Sequence, residues 1–571
     1  MEKSDFFLEK KNFLKSKTIK YSSELFESWV VLLDEFTQEE KNILRPFFTN
    51  LDKPIFALIN IPEVVKGALF SRYSRSAKSL RRVLLDEFIR KPEMGFKEIV
   101  GFGAEEGHDH LVAVKKAEEF YDRVLVGYGD DSVAELGGAS IACEQISQIA
   151  AKVIEAPRIG ISPLEKSTRY VWFNQKISGD YQYAREPLLM ASRFAELYIE
   201  TCDLLFDSYS ELIEPMTKFV TERFPKEQEA TDRAYNSAVR AKVCDILRNL
   251  LPASAMTNVG LYGNGRAFEY LMLKMYASPL AEIRSLAGSM NEELSKAVPS
   301  FVKRANDAYG KLAQQYISET NNGVGNLVSG AIEQPPEDSN EVDLADYDEN
   351  AEEKILAAII YPHSKMPLSQ IKEKVKSMDE PQRKELIKEY MSRRSNRRHK
   401  PGRALENSYY TFDILSNYGI YRDLQRHRML TQEAQDLTVI HGYDTPKELG
   451  EAGYENKYNE CMAKVKDSFR AISKEYPKEA QYVVALGYKI RWYMKMNLRE
   501  ACHLTELRSM QQGHPDYRRV AQQMYLKIKE VHPSLAEYIK FVDMNEYGME
   551  RIEAEKKIDR KMEDISKKHK S

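Results

Sequence analysis

The two sides of one acidic stretch in this chain share a layout. Residues 334–353, QPPEDSNEVDLADYDENAEE, combine a Pro-Pro pair with many acids and little hydrophobicity, the composition of a linker. On each side a glutamate, Glu135 or Glu406, precedes a polar or basic loop, and a long helical pattern follows. The loops are Ser162-Pro-Leu-Glu-Lys-Ser-Thr-Arg-Tyr170 and Arg426-His-Arg-Met-Leu-Thr-Gln-Glu433. A duplicated layout limits the chain to two copies of one architecture. At 571 residues there is room for two or more cores. The expected divisions are an N-terminal helical extension (1–55), a first repeat (56–333), the linker (334–353), a second repeat (354–545) and a charged helical tail (546–571), which reads as solvated helix or a frayed end.

Composition excludes several classes. A net charge of −3 gives no global pull toward nucleic acid or an anionic membrane. The run Arg393 to Lys400 is the local exception. No long apolar segment marks a membrane anchor, and the N-terminus does not read as a signal peptide. Five scattered cysteines show no metal spacing and no disulfide framework, so a cytoplasmic setting is expected. The glycines around Gly127, Gly129, Gly137 and Gly138 are too irregular for a dinucleotide fingerprint. Phe56–Asn60 reads as a short strand, and residues 64–89, 182–301, 354–390 and 455 onward read as helical.

Three side chains in the first loop carry chemistry. Glu165, Ser167 and Arg169 alternate, so an extended backbone turns them to one side. Together they offer a carboxylate, a hydroxyl and a guanidinium fork, which suits a ligand with a phosphate and an amide-like ring edge. The same set also serves as a capped loop. In the second half, Asn497 and Arg508 are eleven residues apart and point nearly the same way on a helix, while Arg499 and His503 share another face. One helix can touch two ligands that way.

RHRMLTQEAQDLT at 426–438 resembles the start, and ISPLEKSTRY at 161–170 the end, of RHRxxSxNExSxRY, the signature of the flavin-dependent thymidylate synthases. GDDSVAEL at 129–136 is similar to that family's GHxSxxEH, with Asp130 and Leu136 at the histidine positions. Asn407 stands at a histidine position in the repeat. The family's Arg before Leu-Pro is matched by Arg248, with Gln481 in the repeat. Its NxRxxxHxxxLR is whole at Asn497, Arg499, His503 and Arg508; the first half keeps Asn264 and Arg266 but has Tyr270 and Met275. In the second half Asp436 and Thr438 fill the Ser and Arg positions of SxR, and Pro157-Arg158-Ile159 fills the RHR position of the first. Asp423 replaces the Gln before RHR.

The resemblance implies an α+β fold of two tandem domains, mostly helical with a small antiparallel sheet in each. It implies methylation of dUMP to dTMP, with methylenetetrahydrofolate as donor, FAD as cofactor and NADPH as reductant. Arg426, His427, Arg428, Asn497, Arg499 and His503 would hold FAD. Ser167, Arg169, Tyr170 and Arg248 would hold the nucleotide. Arg508 would anchor the uracil edge as charge develops, and Glu165 occupies the acidic position beside SxR. No metal and no cysteine nucleophile is implied. A homodimer would supply the four units of a family tetramer, with one site of each kind per chain. Two other readings stay open: a non-catalytic or altered-substrate duplicate that binds flavin or nucleotide, and a nucleic-acid binder using Arg393–Lys400.

Overall fold

The computed structural model describes residues 35–92, 96, 133–157, 159–332 and 334–570. Gly127, Gly129, Asp130 and Arg158 lie outside the described residues, as does most of the N-terminal extension. The chain forms two compact units, 1–137 and 138–571.

In the first unit, helix Gln38–Leu44 starts on a Thr37 capping box, and its Glu40 carboxylate takes Arg82 at 3.1 Å and Arg90 at 2.7 Å. Phe56–Asn60 is not a strand. Only a Phe48–Leu58 bridge forms, and the Arg81 guanidinium lies 3.7 Å from the Phe56 ring centre. The helical pattern of 64–89 breaks at Ser74 into helices Glu63–Tyr73 and Leu80–Val83, the latter continuing in a wider turn, Leu84–Ile89. Glu135 ends a short turn, and Leu136 is exposed.

The second unit holds both repeats. Strand β1 (Gly138–Ser147) pairs antiparallel with β3 (Met256–Asn264), which takes β2 (Ile161–Glu165) on its other edge. The second sheet adds an edge strand, β4 (Val342–Tyr347), to the same arrangement: β5 (Tyr409–Asn417), β7 (Lys489–Asn497) and β6 (Leu430–Ala434). β4 lies inside the stretch expected to be a linker. Val342 is fully buried opposite Ile414, so a few apolar residues among the acids suffice to pair an edge. β3 and β7 fall within stretches read as helical. Their inward residues alternate, Thr257, Val259 and Leu261 in one and Ile490, Trp492, Met494 and Met496 in the other.

Helices repeat in step. α1 (Gln148–Glu155) follows β1 and is capped by Ser147; α5 (Tyr418–Leu424) follows β5 and is capped by Asn417. The long α2 (Ala195–Arg223) and α3 (Asp232–Leu247) belong to the first repeat. α4 (Gly265–Tyr276) follows β3, and α7 (Leu498–Arg508) follows β7. α2 docks on α6 (Glu455–Ile472), its counterpart, through Thr201–Ser468 and Cys461–Ser208 contacts of 2.7 and 3.1 Å. The Leu251-Pro252 and Ala485-Leu486 turns pair backbone to backbone, including Leu486 N to Leu251 O at 2.8 Å. The repeats therefore share one core. The expected charged tail forms helix α9 (Ile552–Lys570); its first turns pack along α3 with Glu555 and Lys556 buried, and its residues from Lys557 to Lys568 are mostly exposed.

Candidate functional site

Strand β2 ends at Glu165, and the turn after it sends Arg169 inward. Its Nε and Nη2 donate to the two oxygens of Asp245, both at 2.7 Å, and its Nη1 donates to the Tyr517 hydroxyl at 3.1 Å. Tyr517 belongs to helix α8 (Pro515–Val531) of the second repeat. Burial alone would raise the Asp245 pKa, but the Arg169 guanidinium paired with it holds it below the usual carboxylate value. One helical turn beyond Asp245, Arg248 is 1% exposed and donates through Nη1 to Asp423 at 3.1 Å. Asp423 also accepts from Arg426 at 3.0 Å. Arg422 pairs with Glu165, joining α5 to β2 across the repeats.

These groups enclose a cavity of about 40 Å³ lined by Ser167, Arg169, Arg248, Arg422, Asp423 and Arg426, with Glu165 and Gly419 among its other walls. Arg248 Nε and Nη2 and Arg422 Nη1 are buried with no hydrogen-bond partner among the described residues. Buried guanidinium donors left without acceptors are costly, and an anion relieves them. The space is about three times the roughly 10–15 Å³ that admits one water, so it suits a small oxyanion group and not a whole nucleotide. Beside it Glu155 is buried, and burial, with Glu165 nearby, pushes its pKa up to about 7 against the pull of Arg426 and Arg422.

The RHR triplet follows α5. His427 is buried between Glu500, 2.8 Å from Nδ1, and Arg508, whose Nε donates to His427 Nε2 at 2.9 Å. Arg508 can only donate, so Nε2 accepts and the ring proton sits on Nδ1, facing Glu500. Burial and then the Arg508 and Arg426 charges lower the His427 pKa well below its ordinary value, keeping the ring neutral. Arg508 also lies over the Tyr517 ring at 5.6 Å, so Arg169 and Arg508 share that tyrosine. Arg428 is exposed and donates to Ile161 O at 2.6 Å and Ser162 Oγ at 3.2 Å.

The other expected residues take varied places. His503 lies beside His427, ring centres 5.6 Å apart and the rings tilted by 58°. Asn497 caps α7 by accepting from Glu500 N at 2.9 Å, and Arg499 is held by Glu406 at 2.8 Å and Pro401 O at 2.9 Å. Tyr170 is not on the cavity wall; its ring lies 4.6 Å from the Arg551 guanidinium. Glu165 meets Arg422 and so positions the cavity wall. In the basic run, Arg394 is buried in a two-pronged pair with Glu506, at 2.9 and 2.6 Å, and so leaves the basic surface, while Arg393 is exposed and pairs with Glu389. All five cysteines are free and buried, and burial pushes Cys202 and Cys502 up to about 12.

Sequence reading missed Asp245, Arg422, Glu155, Tyr517 and Glu500. Asp245 and Arg422 had a signal, lying three residues before Arg248 and four before Arg426 on shared helical faces. Tyr517 and Glu500 had none.

The residues that the resemblance assigns to FAD offer charge and donor chemistry of the kind that cofactor needs. Arg426 and Arg428 present guanidiniums, Arg397 and Lys400 lie near enough to His503 to lower its pKa along with burial, and the buried Gln425 and Gln432 side-chain oxygens have no partner among the described residues. His427, Glu500 and His503 bring three ligand atoms within 4.8 Å, the one such group among the described residues. The Arg508 and Arg426 charges beside it oppose a metal cation, and Arg508 already occupies His427 Nε2.

The repeat-related place carries no counterpart of the Arg248 guanidinium. Gln481, at the position of Arg248, accepts from Leu437 N at 3.0 Å and donates to Lys478 O at 3.0 Å, while Asp436 binds Lys478 at 2.6 Å.

Comparison with known proteins agrees with the duplicated geometry. The family model described as thymidylate synthase complementing protein matches twice, at residues 83–300 and 343–534. A UPF0159 protein of Chlamydia muridarum is 42% identical over 526 residues, covering 91% of this chain and 98% of that one. A UPF0159 protein of Thermoplasma acidophilum is 34% identical over 516 residues, covering 86% and 97%. The Helicobacter pylori flavin-dependent thymidylate synthase, solved with FAD and dUMP, is 19% identical with a TM-score of 0.26, covering 35% of this chain and 98% of that one. No described helix is long and apolar enough to cross a membrane. The chain belongs to the thymidylate synthase complementing protein family, with the family's unit present twice.

Proposed function

We propose that the chain is a flavin-dependent thymidylate synthase that methylates dUMP to dTMP, with one nucleotide and one FAD per chain. One observation carries this reading: Arg169 and Arg248 of the first repeat meet Arg422 and Arg426 of the second around a small cavity with unpartnered buried guanidinium nitrogens. In this reading the cavity takes the nucleotide phosphate, with Ser167 and Arg169 on one side and Arg248 on the other. Arg508, held by His427 and Glu500, faces the uracil edge and stabilises negative charge as the new carbon bond forms at C5. Arg426, Arg428, Arg499 and His503 hold the flavin, and Asn497 fixes the helix that presents two of them.

FAD, when bound, supplies the hydride that completes the methyl group, with NADPH as its reductant and methylenetetrahydrofolate as the carbon donor. The reading includes a homodimer. The carboxylates Asp245 and Asp423, already paired with Arg169 and Arg248, favour a second reading in which the chain binds nucleotide without turnover. One experiment separates them. Methylene-labelled methylenetetrahydrofolate is supplied with dUMP, FAD and NADPH, and label is followed into the C5 methyl of dTMP. Label in dTMP supports the synthase; bound flavin and bound dUMP with no label transferred supports the second reading.

A further inference from the structure

A second cavity, of about 340 Å³, has Asp245 in its wall. The C-terminal part of α3 and the turn after it present Lys242, Asp245 and Asn249 on one face, at helical spacing. The turn at Asp444–Glu448 and the segment Asn545–Glu550 close it. Its size falls within the range of small-molecule sites.

Its charge is unbalanced. Six carboxylates and four Lys or Arg side chains line it; of the six, Asp245 is matched by Arg169 and Asp516 by Arg519. The imbalance is local: one buried ammonium, Lys242, serves two buried carboxylates, Glu448 at 2.9 Å and Glu550 at 3.1 Å. The pKa values of Glu550 and Asp444 are raised, first by burial, which neighbouring cations do not offset. His514 adds no positive charge, since burial and then Arg248 lower its pKa to about 4. An independent sign comes from Asn249, which is 2% exposed and whose Oδ1 has no hydrogen-bond partner among the described residues. A buried amide carbonyl without a donor is costly, and a ligand N–H relieves it.

We propose that this cavity binds a small organic cation bearing one or two primary ammonium groups, accepted by Asn249 Oδ1 and the Glu448 and Glu550 carboxylates. A metal ion fits less well, because the Lys242 ammonium already stands between the Glu448 and Glu550 carboxylates; the metal-capable group among the described residues lies elsewhere, at His427, Glu500 and His503. The site does not depend on the proposed synthase activity.

The test is calorimetric titration of the full chain with 1,4-diaminobutane dihydrochloride, against sodium chloride at matched ionic strength. One saturable site per chain is expected, and it persists in Arg248→Gln. Glu448→Gln should weaken it at least tenfold while the melting temperature holds, because Lys242 keeps Glu550 as partner. Asn249→Leu should weaken it similarly; if that variant does not fold, Glu448→Gln alone decides. Heat indistinguishable from the salt control, or unchanged affinity in Glu448→Gln, overturns the proposal.

Discussion

Arg248 and Gln481 stand at the same place in the two repeats, and in the proposed function the difference decides which side takes an anion. Arg248 leaves two buried nitrogens without acceptors, whereas Gln481 spends its amide on Leu437 and Lys478. Arg248→Gln should therefore weaken dUMP binding by roughly ten- to a hundredfold, the loss of a charge-assisted bond of about 1.5–3 kcal/mol. Asp423 keeps Arg426 as partner, so folding should survive. Calorimetry with a melting control checks both. Arg169→Ala is a poorer probe. It leaves Asp245 buried and unpaired, a cost of about 3–5 kcal/mol, so lost binding there would mix with unfolding. Glu155 makes a pH prediction. Its folded pKa, about 7, lies above the unfolded value, so the folded state holds a proton the unfolded state has released. Its contribution to stability is therefore present at low pH and falls as pH rises from about 4.5 through 7. The charge it gains also opposes the phosphate. Between pH 6.5 and 8.5 dUMP affinity should fall in the wild type and stay flatter in Glu155→Gln; equal slopes in the two would count against this role.

At the scale of elements, Asn264 and Asn497 show why the first repeat keeps part of a motif whose ligand-facing members it has lost. Each asparagine caps the helix after a central strand, Asn264 to Ala267 N at 2.8 Å and Asn497 to Glu500 N at 2.9 Å. Either Asn→Ala change should cost about 1 kcal/mol in denaturant unfolding. Only Asn497→Ala should also weaken flavin binding, because α7 alone carries His503 and Arg508. Motif spacing made Arg169, Arg248 and the RHR triplet legible in the sequence, and the repeat made the paired sheets legible. β3 and β7 were hidden because their alternation is short and lies between long helices. The edge strand β4 was hidden by the acids around it. Tyr517 and Glu500 reach the site through tertiary contacts alone, and nothing local marks them.

For the whole molecule, the proposed function makes the duplication a division of labour within one chain. The first repeat supplies Ser167, Arg169 and Arg248, and the second supplies Arg426, His427, Arg428 and Arg508. At the repeat-related place Asp436 pairs with Lys478, and Gln481 accepts from Leu437 N. The proposed homodimer would then carry two nucleotides, half the number of a tetramer built from single-repeat chains. The direct test is calorimetric counting of dUMP on FAD-loaded protein of known chain concentration, with Arg248→Gln alongside. The account predicts one dUMP per chain, lost or weakened at least tenfold in Arg248→Gln while FAD stays bound. Two dUMP per chain, or an Arg248→Gln protein that binds dUMP as tightly as the wild type, would contradict it.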